Sequence, residues 1–196
     1  MRRVLRLWLV AVVALGAVLA GSARADVLNG ACGNTARVFS PWGDGSNYYY
    51  AGNGGFENGS DGWSLSGGAS VVPGNESSYL HSRSDSHALS VPDGGSASIQ
   101  LCYGLSYPAL RFFARSNDGA TVHVSVTTQN WLGVVSTLDG GTFQPGSDWA
   151  PSPKLSTLLS ALIAPFGAKS MALHIDVSNG TAQIDDLYVD PLVQRS

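Results

Sequence analysis

Basic residues are scarce in this chain, and the scarcity removes whole classes of function. Arg2, Arg3, Arg6 and Arg24 account for four of the eleven basic residues. Beyond residue 25 the remaining seven face fourteen acidic ones, a formal charge of −7. Nucleic-acid binding needs clustered Lys and Arg to neutralise phosphates, so such a partner is excluded, as is an anionic membrane surface. Cysteine is also sparse, with two in 196 residues, too few for a disulfide-built miniprotein. No Gly-x-Ser-x-Gly elbow and no histidine pair at metal-ligand spacing occurs; His81, His87, His123 and His174 are scattered. Residues 84–87, Ser-Asp-Ser-His, bring triad residue types together in sequence, which is not the geometry of a triad. The chain reads as non-enzymatic.

One long apolar run is present, at the N-terminus. The three early arginines, the run LWLVAVVALGAVLA at residues 7–20 and the small residues Ala23 and Ala25 are the three parts of a bacterial signal peptide, residues 1–25. The expectation is a secreted, extracellular protein with no membrane span after cleavage. In an oxidising compartment Cys32 and Cys102 are expected to pair. The bridge would close a loop of about 70 residues and tether an N-terminal extension, residues 26–52, to the main domain, residues 53–196.

Most of that domain alternates with period two. Ala97, Ile99 and Leu101 share one strand face, as do Val122, Val124 and Val126, and Met171, Leu173, Ile175 and Val177. Such alternation marks half-buried strands. Turn sequences at residues 92–95, 117–119, 139–141 and 179–180 punctuate them, at the spacing of an antiparallel β-sandwich. Leu155, Leu158, Leu159 and Leu162 follow helical spacing instead, which predicts one short helical insertion.

The glycine-rich stretch NGGFENGSDGWSLSGGASV, from Asn53, and the late stretch QIDDLYVDP, residues 183–191, carry a resemblance. Together they resemble the opening and closing strands of carbohydrate-binding modules of the galactose-binding-like jelly-roll type, similar to families 4 and 9. The resemblance implies an all-β jelly roll in which Phe56 and Trp63 plug the sandwich. It also implies a structural calcium held by Glu57 and an acid of the last strand, Asp185 first and Asp186 second. On strict alternation those two aspartates point to opposite faces, each among apolar neighbours, where a charge needs a partner or a metal.

Flat aromatic rings in polar, half-wet segments suit sugar rings. Trp42, Tyr48, Tyr49 and Tyr50 stand in a Gly-, Ser- and Asn-rich segment, and Trp131 and Trp149 lie beside turns. These six are the candidate ligand contacts, and three successive tyrosines must place at least one in the core. The expected function is a secreted, non-catalytic module binding a polysaccharide or cell-surface glycan. The alternative is an extracellular structural or adhesion domain that has no sugar site.

Overall fold

A computed structural model describes residues 32–102, 109–156 and 168–190. It is all-β, two antiparallel sheets face to face. The strands are β1 (Tyr49–Tyr50), β2 (Trp63–Ser66), β3 (Ser70–Pro73), β4 (His87–Val91), β5 (Ser96–Gln100), β6 (Ala109–Arg115), β7 (Thr121–Asn130), β8 (Val135–Phe143), β9 (Ala150–Pro151), β10 (Leu155–Ser156), β11 (Ala168–Ser178) and β12 (Ala182–Asp190). One sheet runs β2-β5-β11-β7-β8. The other runs β10-β6-β12-β4-β3, with β1 beside β12 and β9 beside β6. The one described helical element is a 3₁₀ turn at Ser40–Trp42, and among the described residues no helix is long and apolar enough to cross a membrane.

The core lies between the sheets, where the alternation puts it. Val122, Val124 and Val126 of β7 meet Leu173 and Ile175 of β11 on the inner face, all fully buried. Trp63 and Phe56 fill one end, their rings 4.9 Å apart, and the Trp63 indole N–H donates to the Asn53 carbonyl at 3.1 Å. Cys32 and Cys102 are joined, with Cα atoms 5.5 Å apart. Breaking this bridge frees a 70-residue loop. Reduction is expected to lower unfolding stability by about 4 kcal/mol, read as a shifted urea midpoint with and without reductant; an unchanged midpoint would show that the bridge closes nothing of consequence.

The outer faces of the two sheets differ. That of the seven-stranded sheet is covered around Phe113 and Tyr188. β6 carries Arg111, Phe113 and Arg115 there, and Phe113 is buried on this face between two half-buried arginines. Phe39 and Tyr48 of the N-terminal stretch lie across Phe113 and Tyr188 as a second, smaller core, with Phe39 stacked on Phe113 at 6.0 Å and edge-on to Tyr188 at 5.7 Å. The stretch before residue 53 also enters the sheet itself, since Tyr49 and Tyr50 pair with Val189 and Tyr188. The expected helix from Leu155 falls mostly outside the described residues. Its first two residues, Leu155–Ser156, form β10 against β6.

Candidate functional site

Two places in the fold have the chemistry of a site. The first is a buried acidic cluster where the loop after β3 meets β12. Glu76, Asp185 and Asp186 are buried to within 1% of full occlusion and Asp85 nearly so. Strict alternation would send Asp185 and Asp186 to opposite faces, and the structure corrects this. The register of β12 against β6 shifts between Asp185 and Tyr188, and Asp186 adopts the left-handed conformation, φ +50°. That twist turns both carboxylates towards Gly55. A Cβ placed on Gly55 would lie 3.1 Å from Asp186 Oδ1, 3.5 Å from Asp185 Oδ1 and 2.5 Å from the Tyr50 hydroxyl, so only glycine leaves this space open.

The acids are only partly satisfied. Asp185 accepts from the Glu76 and Asp186 N–H groups, both at 2.8 Å. Glu76 accepts from Ser78 and Leu80 N–H. Asp186 Oδ2 accepts from His81 N–H at 3.2 Å, but among the described residues Asp186 Oδ1 is buried without a hydrogen-bond partner, as is Asn75 Oδ1. Burial first, and then the neighbouring Asp186 charge, push the Asp185 carboxyl up to about 8. Burial and the Glu76 charge push Asp186 up to about 7. The adjacent imidazole, His81, is bonded to Asp85 at 2.7 Å and stacked on Tyr50, ring centroids 3.9 Å apart. The ligand atoms of His81, Asp85 and Asp186 come within 4.8 Å of one another. Carboxylates packed this closely, with an orphaned oxygen among them, are the donor set that a hard cation takes.

Glu57 lies apart from this group and holds the start of β4. Its Oε1 accepts from Ser86 and His87 N–H, each at 2.7 Å, and Oε2 is 3.1 Å from His87 Nδ1. Partial burial works to raise its pKa, and these donors outweigh it, leaving the carboxyl below the usual range.

The second place is the outer face of the five-stranded sheet, largely polar and open. Its rows run across the strands: Ser64, Ser98, His174, Ser125 and Asp139 in one, Ser66, Ser96, Asp176 and His123 in the next. His123 bridges the strands on either side, 3.2 Å from Asp139 and 3.9 Å from Asp176. At one end the β7–β8 turn presents Trp131, 68% exposed, with Leu132, Val134 and Val135. This turn is held rigid by Asn130, whose side-chain oxygen accepts from Leu132 and Val134 N–H at 2.9 Å, and Gly133 supplies the left-handed residue, φ +82°.

The six aromatic candidates do not converge. Tyr48 and Tyr49 are buried, the first donating to Asp44 at 2.6 Å and the second to the Cys102 carbonyl at 2.5 Å. Tyr50 and Trp149 pack against the smaller core. Trp42 is 39% exposed above it, edge-on to Phe113. Trp131 alone of the six belongs to the five-stranded sheet. Sequence reasoning missed Glu76, which stands in a loop with no periodic pattern. Its one signal is an acid whose carboxylate takes N–H groups two and four residues on, those of Ser78 and Leu80.

No family model and no curated protein matches the chain. Solved structures do. The tandem CBM22-1–CBM22-2 domain of Paenibacillus barcinonensis Xyn10C superposes with a TM-score of 0.52 at 12% identity, over 74% of this chain and 44% of that one. The CBM22-1–GH10 modules of Clostridium thermocellum xylanase 10B, complexed with xylohexaose, give 0.51 at 13%, over 76% and 29%. The enzymatically active domain of bacteriophage CBA120 tailspike protein 4 gives 0.52 at 19%, over 70% and 20%. In each case the chain spans less than half of the other. At these identities the likeness is one of fold: a two-sheet β-sandwich that carbohydrate-binding modules use and that also occurs within larger enzymes.

Proposed function

We propose that this is an exported, non-catalytic carbohydrate-binding domain whose ligand lies along the outer face of the five-stranded sheet, with a structural calcium in the acidic cluster. The observation that carries the reading is the contrast between the two outer faces: one covered around Phe113 and Tyr188 by the chain's own N-terminal stretch, the other largely polar and open with an exposed indole at its end. Rows of hydroxyl, imidazole and carboxylate groups match the donors and acceptors of a glycan, and Trp131 offers the apolar face on which a sugar ring stacks. The shared fold supports the reading, because modules with this sandwich bind polysaccharide; the xylanase module was crystallised with xylohexaose. The partner class is a polysaccharide or cell-surface glycan.

The acidic cluster fits a calcium ion through the orphaned Asp186 Oδ1, with Asp185 and Asp85 beside it, while Glu57 is engaged at the start of β4. Bound there, calcium supplies the positive charge that these carboxylates lack and ties the loop after β3 to β12.

Affinity electrophoresis through gels containing soluble xylan, galactan or β-glucan tests the site. At least one polysaccharide is expected to retard the protein, and Trp131→Ala to weaken that retardation about tenfold or more, the scale of a lost stacking contact. Retardation that survives Trp131→Ala and is lost with Trp42→Ala would move the site to the other sheet.

A further inference from the structure

The seven-stranded sheet carries a feature that neither the calcium nor the open face absorbs. Arg111 and Arg115 stand on the same face of β6, four residues apart, and are treated differently. Arg111 is fully used: Nε and Nη2 donate to the Ser152 carbonyl at 2.9 and 2.8 Å, Nη1 reaches Asp44 at 3.3 Å, and the guanidinium lies over Phe39. Arg115 is held but not used up. Its Nε donates to Gln183 Oε1 at 2.8 Å, from the residue directly opposite on β12, and its guanidinium lies 4.9 Å from the centre of the Trp149 ring. Among the described residues its two terminal nitrogens have no hydrogen-bond partner and no ion-pair partner. In a chain with a twofold excess of acids beyond residue 25, an unpaired guanidinium fixed on two sides is poised for an acid from outside.

The space beside it supports this. Arg115 and Gln183 line a cavity of about 140 Å³ with Ser116, Asn117, Asp118 and Thr181, where the β6–β7 and β11–β12 turns meet. That volume is on the scale of one sugar ring. Asp118 is the one acid in the lining. Its Oδ1 accepts from the Ser116 hydroxyl at 2.8 Å and from Thr181 N–H at 2.9 Å, and the same N–H lies 3.0 Å from Oδ2. Its charge is thereby committed to the turn, with lone pairs left for a sugar hydroxyl.

Building on the reading of this domain as a glycan binder, we infer that this cavity is a second subsite, selective for a uronate residue. Arg115 takes the sugar carboxylate through its two free nitrogens, and Asn117 and Asp118 take ring hydroxyls. A planar fork matches a carboxylate bidentately, which a lysine ammonium does not. Gln183 and Trp149 are positioning residues, since they hold the guanidinium and leave its outer edge free.

Calorimetric titration with trigalacturonate, its methyl ester and a glucuronate-bearing oligosaccharide tests the inference; short oligomers avoid calcium gelation of the polymer. At least one free acid is expected to bind. The methyl ester and Arg115→Gln should each weaken binding tenfold or more, and Arg115→Lys several-fold. Circular dichroism of each variant checks that it is folded. Equal binding of acid and ester, or uronate binding indifferent to Arg115→Gln, overturns the subsite. So does silence of both uronates towards a protein that neutral polysaccharides retard, and that outcome leaves the open-face reading standing. A protein bound by no glycan of either kind overturns both.

Discussion

In chelator, the protein is expected to lose stability as pH rises from about 4 to 8, and calcium to abolish most of that loss. The sign follows from two carboxyls. An unfolded aspartate titrates near 3.9, whereas folded Asp185 and Asp186 are pushed up to about 8 and about 7, chiefly by burial. The folded state therefore keeps protons that the unfolded chain has released. The stabilisation they give is fully present below about pH 4 and disappears as pH climbs through 7 to 8. Several kcal/mol should go over that window, a fall in Tm of more than about 10 °C for a domain of this size. Calcium bound as proposed would replace the protons with a charge that does not titrate, so the calcium-loaded profile should be flat or rise. Asp186→Asn removes the charge and a ligand together. It is expected to leave Tm insensitive to calcium and, in chelator at pH 8, above that of the wild type. Thermal unfolding by circular dichroism at several pH values measures all of this. A wild-type profile that is flat in chelator and unmoved by calcium would remove the cation from the cluster.

Phe39→Ala should be nearly as damaging. Phe39 is fully buried, with Tyr48, Phe113 and Tyr188 around its ring and the Arg111 guanidinium 4.8 Å above it. Truncating a buried phenylalanine costs about 3–5 kcal/mol. Here the cavity would open on the outer face of the sheet, uncovering Phe113 and Tyr188. Urea denaturation should therefore show a lower midpoint, and the variant should bind a hydrophobic dye at urea concentrations where the wild type does not. A loss below about 1 kcal/mol would mean that the N-terminal stretch is an appendage rather than a wall of the domain.

The parts of the fold written as alternation were legible before the structure. β5, β7 and β11 have their inner residues where period two places them, because each strand is half-buried. Trp63 and Phe56 were readable as plugs, and the two cysteines as a pair. What was not legible depends on contacts distant in sequence. β6 reads as a strand with a wet face because Arg111 and Arg115 stand on it, yet Phe113 between them lies under Phe39, some seventy residues earlier. Asp185 and Asp186 were readable as costly buried charges, but period two separates them. A single left-handed residue in β12 brings them together, and nothing local announces it. Glu76 has no pattern around it, since it is drawn in by N–H groups of its own loop and by β12. The open polar face was present in the alternation as a row of serines, threonines and histidines. Its role could be read only after the opposite face proved to be covered, because that asymmetry belongs to the packing of two sheets and a terminal segment.

The most direct test of the central claim, that glycan lies on the open face of the five-stranded sheet, is an amide-resolved NMR titration of the protein with a pool of neutral xylo-, galacto- and gluco-oligosaccharides. Perturbed amides are expected to cluster on the outer rows of β7 and β11, around His123 and His174, together with the Trp131 indole and the turn that carries it. A spectrum unmoved by the pool, or perturbations confined to the seven-stranded sheet around Trp42, would contradict it.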